Sequence, residues 1–200
     1  MLDSDIADDP QLVAGRTCGS CNVCCVDLTI DDPELQKVQG YRCRHAQRDN
    51  SCGIYASRPH SCRMFYCGWR RLKWIRESLK PDQSGVLVRL HGYMSKTDGT
   101  KHLGVEFTLL NAAALKAEGL AESVAAAVAA GLPVYLAIPG PPGFTYAQAR
   151  IDGVLRDAVH AKDKEAVLRI LRQARAKGRS GKRQRIVLSG PANGGVLPPG

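Results

Sequence analysis

Apolar and polar residues alternate along two stretches in the middle of the chain. The apolar positions of the first stretch are Val86, Val88 and Leu90, and those of the second are Leu103, Val105, Phe107 and Leu109. Between them, Lys96-Thr97-Asp98-Gly99 is typical of a turn. The pattern therefore predicts a β-hairpin with one face in a core.

The second half of the chain predicts two helices around one more strand. Asn111 can cap an alanine-rich helix that ends at Gly131-Leu132-Pro133, with a break at Gly119. Val134 to Ile138 is typical of a buried strand. Ile151 to Ala176 is amphipathic, with an apolar stripe formed by Val154, Leu155, Val159, Val167, Leu168 and Leu171. The order β-β-α-β-α predicts a small α+β domain.

The chain divides into four segments. Residues 1–15 are an acidic, flexible lead-in, and residues 16–68 form a loop-rich unit with little room for a hydrocarbon core. The segment Trp69 to Lys80 has helical periodicity and is followed by Pro81, so residues 16–80 combine the loop-rich unit with a helix. Residues 81–176 form the α+β domain. Residues 177–200 form a basic tail with Gly and Pro, for which we expect disorder.

The composition excludes several protein classes. Hydrophobic residues make up 44% of the 200 residues and charged residues 24%, which is ordinary globular usage. The first ten residues carry four aspartates and do not resemble a secretory signal. No apolar stretch reaches the length of a membrane span. We therefore expect a protein of the reducing cytoplasm without membrane attachment, where thiols stay available for metals.

All eight cysteines lie in one quarter of the chain. They are Cys18, Cys21, Cys24, Cys25, Cys43, Cys52, Cys62 and Cys67. Two-residue gaps let successive thiolates converge on one centre, which suits tetrahedral zinc and iron–sulfur clusters alike. The spacing predicts metal binding, with buried structural thiols as the alternative.

The number of centres stays open. Cys24 and Cys25 are adjacent and point apart in most backbones, so they serve different centres or one of them is free. Two tetrathiolate zinc sites, a four-iron cluster with a zinc, and a single cluster with spare cysteines all fit eight thiols.

The ordered cysteine signature resembles a known family. Residues 18–25 read CGSCNVCC, Cys43 follows, and residues 52–65 read CGIYASRPHSCRMF. This run is similar to the YkgJ-type CxxCxxCC cysteine-cluster family, which is described as a zinc- or iron-chelating domain. The resemblance covers about a quarter of the chain and implies metal ligation by the seven cysteines from Cys18 to Cys62, while Cys67 lies past the pattern.

Residues beside the cysteines have roles of their own. Arg58 and Arg63 can donate hydrogen bonds to thiolate sulfurs or to nearby carbonyls. His45 and His60 are histidines that could replace a thiolate at zinc, although eight thiolates need no histidine. The remaining three, His91, His102 and His160, have no paired acid or cysteine in the sequence and are interpreted as surface residues.

The net charge of +9 comes from two basic blocks. The block at residues 35–80 surrounds the cysteines and offsets the negative charge of metal thiolates. The block at the end of the chain has no acid from residue 166 onward and favours an acidic partner or nucleic acid as strongly as a solubilising role. It comprises Arg169, Arg172, Arg175, Lys177, Arg179, Lys182, Arg183 and Arg185.

These observations support three hypotheses. The first is a zinc- or iron-chelating cysteine-cluster protein without catalysis of its own. The second is an iron–sulfur redox or group-transfer enzyme, since a similar cysteine signature occurs in a flagellin lysine methylase. The third is a zinc-organised module that binds nucleic acid. The sequence decides neither the metal nor whether the protein is an enzyme, because no catalytic motif lies outside the cysteines.

Overall fold

A computed structural model describes residues 11–94 and 99–189. Its α-helices are α1 (Val23–Asp27), α2 (His60–Met64), α3 (Gly68–Arg71), α4 (Pro81–Ser84), α5 (Leu120–Ala129), α6 (Asp152–His160) and α7 (Lys164–Arg179). Its strands are β1 (Ile30–Asp32), β2 (Leu35–Lys37), β3 (Val86–Met94), β4 (Lys101–Leu109), β5 (Val134–Ile138) and β6 (Ala147–Arg150). Short 3₁₀ helices cover Glu77–Leu79 and Ala113–Lys116.

A four-stranded mixed sheet organises the second half of the chain in the order β3-β4-β5-β6. Strands β3 and β4 form the predicted hairpin, from the pair Val86–Leu109 to the pair Met94–Lys101. Strand β5 runs parallel to β4, and β6 runs antiparallel to β5. The hairpin and the strand Val134–Ile138 are confirmed, and the α+β class holds at this level. The predicted turn at Lys96 to Asp98 lies outside the described residues.

Helices cover one face of this sheet. Val88, Phe107 and Leu136 lie on that face and are buried, together with Leu120 of α5 and Leu171 of α7. The fully buried residues of this cluster begin at Trp69, and Cys67 of the loop-rich unit before it is partly buried against the cluster. The unit at residues 16–68 therefore has only a small apolar core of its own, formed by Leu28, Leu35, Val38 and Cys43.

The alanine-rich segment breaks where the sequence predicts. Asn111 accepts a hydrogen bond from Ala114 N with its side-chain oxygen at 3.0 Å and so caps the 3₁₀ helix Ala113–Lys116. Gly119 then has φ +82°, and helix α5 begins at Leu120. A side chain at Gly119 would be strained by this φ and would approach Arg76 Cβ to 2.6 Å.

The amphipathic stretch at 151–176 forms two helices, whereas the pattern predicts one. Helix α6 ends at His160, Lys162 has φ +54°, and Asp163 caps α7 by accepting from Ala166 N at 2.8 Å. Val154 is 64% exposed, so its predicted place in the apolar stripe is wrong. The apolar stripe continues from α6 into α7, since Leu155 and Leu171 are both fully buried.

The segment Trp69 to Lys80 is not the predicted helix. It contains the short helix α3 and a 3₁₀ turn at Glu77–Leu79. The guanidinium of Arg16 donates hydrogen bonds to Trp69 O at 2.6 Å and to Ile75 O at 2.7 Å. In a continuous helix, backbone N–H groups would bond to these carbonyls. Because Arg16 satisfies these acceptors, Trp69 and Ile75 can both enter the core without a continuous helix.

The basic tail begins later than predicted. Helix α7 continues through Arg179, where Arg183 caps it by donating to Arg179 O and Gly178 O. The chain then pairs with the loop at 143–146 through bonds between Thr145 and Gln184, and its Ser189 N donates to the Asp31 carboxylate at 2.9 Å. Expected disorder therefore does not hold for residues 177–189, and residues 190–200 lie outside the described part.

Within the described ranges, no helix is long and apolar enough to cross a membrane.

Candidate metal centre

The eight cysteines reach their positions through short elements. Cys24 and Cys25 lie in α1, Cys62 lies in α2, and Cys67 directly precedes α3. Cys52 pairs through its backbone in an isolated bridge with Ala46. All eight are free thiols, with Cys18 exposed, Cys43 buried and the others partly buried.

Electrostatic neighbours divide the cysteines into two sets of four. The pKa of Cys67 is raised mainly by burial and further by Cys18. The pKa of Cys24 is raised by its interaction with the adjacent Cys25 and by burial, and further by Cys18 and Cys21. These residues form the first cysteine set: Cys18, Cys21, Cys24 and Cys67. The pKa of Cys62 is raised mainly by burial and further by Cys43, Cys25 and Cys52. The second cysteine set is therefore Cys25, Cys43, Cys52 and Cys62.

Backbone hydrogen bonds hold each set together locally. In the first set, Cys21 N donates to Cys18 O at 3.0 Å, which closes a tight turn between two thiols. In the second, Cys43 N donates to Cys25 O at 2.8 Å, which joins the loop after β2 to helix α1. Residues far apart in sequence are thus fixed as neighbours by main-chain contacts.

Cys24 and Cys25 are the point where the two sets meet. The pKa of Cys25 is lowered, despite partial burial, mainly by hydrogen bonding with the adjacent Cys24 thiol. Lys37, Arg58 and Arg42 lower it further. The same hydrogen bond, with burial, raises the pKa of Cys24. The two adjacent thiols therefore shift each other's pKa in opposite directions, and the neighbouring cations favour the thiolate form of Cys25.

The thiols are neighbours but do not form a closed ligand shell. Over residues 11–94 and 99–189, no three His, Cys, Asp or Glu side chains stand in an arrangement that could hold a metal ion. Of the two candidate histidines, His45 accepts a hydrogen bond at Nε2 from Arg44 Nε at 3.1 Å, and His60 is exposed near Asp32. Two sets of four soft thiol ligands suit zinc or iron in their chemistry.

Basic side chains surround both sets. Arg70 Nη1 donates to Cys18 Sγ at 3.9 Å, a sulfur contact of the first set. Lys37 is buried beside the second set, and its ammonium donates to Val26 O at 2.8 Å and Tyr41 O at 2.9 Å. Burial lowers the pKa of Lys37, while Cys43 and Asp27 raise it. Both cations belong to the basic block, but the sequence alone does not single them out.

Two further side chains position the ligand-bearing segments. Arg58 Nε donates to Tyr55 O at 3.0 Å, one of the predicted roles of this arginine. Its guanidinium lies 3.7 Å from the centroid of the Tyr55 ring. The buried carboxylate of Asp32 accepts from Ser61 N at 3.2 Å and from Glu34 N at 3.0 Å. Asp32 therefore ties helix α2, which carries Cys62, to the β1–β2 hairpin.

Fold and site together define a mixed α/β protein whose N-terminal part carries eight free thiols in two neighbouring sets. No family model, no curated protein and no solved structure matches this chain.

Proposed function

We propose that this protein chelates zinc or iron through two four-cysteine centres, one for each cysteine set. The single observation that carries the proposal is the gathering of eight free thiols in one loop-rich part of the chain, where their electrostatic neighbours form two groups of four that meet at Cys24 and Cys25. Four thiolates are the ligand number of a structural zinc site and of a four-iron cluster. The resemblance to the YkgJ-type cysteine-cluster family supports the same function.

The charges around the sets fit thiolate ligation. Four thiolates with a divalent ion carry a net charge of about −2, and so does an oxidised four-iron cluster with its ligands. Lys37, Arg42 and Arg58 lower the pKa of Cys25, and Arg70 contacts Cys18. These cations favour the deprotonated ligands and offset the charge that a bound centre would introduce.

When bound, a zinc ion would supply folding energy, and an iron–sulfur cluster would add electron transfer. The residues of this chain supply the thiolates, the neighbouring cations and the hydrogen bonds that hold each loop. Cys67 belongs to the first set although it lies past the family pattern, and it completes four ligands there. The redox and group-transfer hypotheses rest on which metal these thiols take.

Metal analysis of protein purified without oxygen tests the proposal and names the metal. We expect either two zinc ions per chain in a colourless protein, or iron with acid-labile sulfide and absorption near ~400 nm. Thiol titration of the same sample under native conditions should leave the cysteines protected. A metal-free protein whose eight thiols all titrate would contradict the proposal.

We propose, as a second candidate, that helix α7 binds polyanions. Arg172, Arg175 and Arg179 lie three and four residues apart, so they share a helix face and line an open groove of about 420 Å³. Within the described part of the chain, no carboxylate pairs with any of these three guanidinium groups. Unneutralised arginines on one face favour phosphate groups of an acidic partner or nucleic acid.

A further inference from the structure

The face of the sheet that the helices leave uncovered carries polar and aromatic side chains. The strand register places them together: Arg89, His91 and Tyr93 on β3, His102 and Glu106 on β4, Tyr135 on β5, and Gln148 and Arg150 on β6. We call this set the polar face. The rings on this face are half-buried or exposed. A ligand from solvent can therefore reach them.

Aromatic rings form a connected surface across three strands. His91 and Tyr135 have ring centroids 4.4 Å apart, Tyr93 and Tyr135 are 6.3 Å apart, and Tyr93 stacks on His102 at 5.5 Å. Arg150 lies over Tyr93, with its guanidinium 6.0 Å from the ring centroid. Planar rings with an arginine beside them are the arrangement on which nucleic-acid bases stack.

A glycine in the middle strand makes this surface continuous. Gly104 pairs with His91 across the hairpin, and an added Cβ would come within 3.1 Å of Tyr135 Cε2 and 2.6 Å of Pro133 O. Because position 104 has no side chain, the rings of β3 and β5 meet over β4. The sequence interpretation of His91 as a surface residue without a paired acid is wrong, because His91 is half-buried and lies 3.8 Å from the Glu106 carboxylate.

Beside the rings, a pocket of about 470 Å³ holds convergent hydrogen-bonding groups. Glu106 is 2% exposed and accepts from Arg89 Nε at 2.9 Å, from Thr108 Oγ1 at 2.8 Å and from Gln148 Nε2. His91 Nδ1 lies 3.8 Å from the same carboxylate. The pocket also contacts Phe65 of the cysteine-rich part of the chain.

The hydrogen bonds within the pocket leave the Gln148 side-chain oxygen to accept from the edge of a bound base. Gln148 uses its amide nitrogen on Glu106, so its carbonyl oxygen is the acceptor that an exocyclic amino group of a base would use. Arg89 is fixed by Glu106 and by the Tyr146 ring, with its guanidinium 5.0 Å from the ring centroid. A buried, fixed polar network beside exposed rings distinguishes this surface from an ordinary solvated sheet face.

We propose that the polar face binds a nucleobase, which stacks on one of the rings of Tyr93 and Tyr135, meets the second ring, tilted by 55°, with its edge, and is hydrogen-bonded by Gln148. The base belongs either to single-stranded nucleic acid or to a free nucleotide. This site shares no residue with the cysteine sets or with the α7 groove, and it does not rest on the metal-binding proposal.

Binding of a fluorescein-labelled 12-nucleotide single-stranded RNA, measured by anisotropy, tests the site. Tyr93→Leu and Tyr135→Leu should each weaken binding by about 5- to 150-fold, the range of losses for a base–aromatic stack. Met94→Leu is the matched control, because Met94 follows Tyr93 on the opposite face of β3 and is 62% exposed. Circular dichroism of each variant checks that the fold is retained.

Two further arms separate the sources of binding. Competition by AMP indicates a free-nucleotide site, whereas competition by unlabelled oligomer alone indicates a strand-binding site, and either result supports base recognition. The double variant Arg172→Gln/Arg175→Gln should flatten the salt dependence of RNA binding without removing the Tyr93→Leu effect. Equal affinity of wild type and both tyrosine variants, or no binding of RNA and AMP at all, would overturn the proposal.

Discussion

Removal of the proposed metal centres is expected to open residues 18–67 while the sheet β3–β6 stays folded. The main apolar cluster begins at Trp69, and the cysteine-bearing part has only the small core of Leu28, Leu35, Val38 and Cys43. A small unit with so little apolar burial depends on its metal for folding. A structural zinc site contributes about 10 kcal/mol or more in zinc-finger peptides, so protection from hydrogen exchange should fall by several orders of magnitude.

Hydrogen exchange before and after metal removal measures this effect within one molecule. The amides of β3 and β4 serve as the internal control, since their pairing from Val86–Leu109 to Met94–Lys101 involves no cysteine. Zinc ions are removed with a competing chelator. An iron–sulfur cluster is removed with a chelator together with an oxidant. Unchanged protection of the amides at 18–67 after complete metal loss would show that the unit folds without metal.

The substitution Arg16→Met should lower the free energy of unfolding by about 2–4 kcal/mol, because it leaves buried carbonyls without a donor. Arg16 is 8% exposed and donates to Trp69 O and Ile75 O. These bonds take the place of helical hydrogen bonds in this segment. Methionine keeps most of the side-chain volume, so lost packing contributes little. Urea denaturation followed by tryptophan fluorescence measures the change.

Glu77→Gln is the matched control for this network. Glu77 accepts from Arg16 Nε at 2.6 Å, but its side chain is 71% exposed. Because the Glu77 carboxylate is solvent-exposed and glutamine keeps an oxygen that can accept from Arg16 Nε, this variant should stay within about 1 kcal/mol of wild type. Equal destabilisation by the two substitutions would assign the effect of Arg16 to its ion pair and not to the carbonyls of Trp69 and Ile75.

Long strands with strict alternation could be predicted from the sequence, and short polar ones could not. Strands β3, β4 and β5 alternate or are uniformly apolar, which the pattern detects. Strand β6 reads Ala-Gln-Ala-Arg, and β1 and β2 have three residues each, so tertiary pairing and not local pattern makes them strands. The helix predicted at Trp69 failed for the same reason, because Arg16, more than fifty residues away, holds its carbonyls.

The cysteines could be predicted as a group, but their division required the fold. Adjacency alone suggests that Cys24 and Cys25 serve different centres or that one of them is free, and the assignment of each to its own set stays a prediction. Which distant cysteine joins which set depends on loop contacts such as that between Cys43 N and Cys25 O. Arg70 and Lys37 were missed because many basic residues occur nearby and only distance selects these two.

The pair Arg89–Glu106 carries a signal that the sequence does contain. A turn centred between Thr97 and Asp98 places positions 89 and 106 opposite each other in the hairpin, as the register has them. Opposite charges at such a pair stabilise antiparallel strands. Combining the predicted turn with the charge pattern would have located the buried carboxylate of the polar face.

Metal content of paired cysteine variants tests the two-centre account most directly. We expect Cys24→Ser and Cys25→Ser each to lose one of two centres, although the residues are adjacent. The double variant Cys25→Ser/Cys43→Ser, within the second set, should lose no more than either single variant, whereas Cys24→Ser/Cys43→Ser should lose both centres. Met64→Leu, an exposed residue beside Cys62, should retain full metal content. Loss of both centres from Cys25→Ser/Cys43→Ser, or equal content in the two double variants, would contradict the division into two sets.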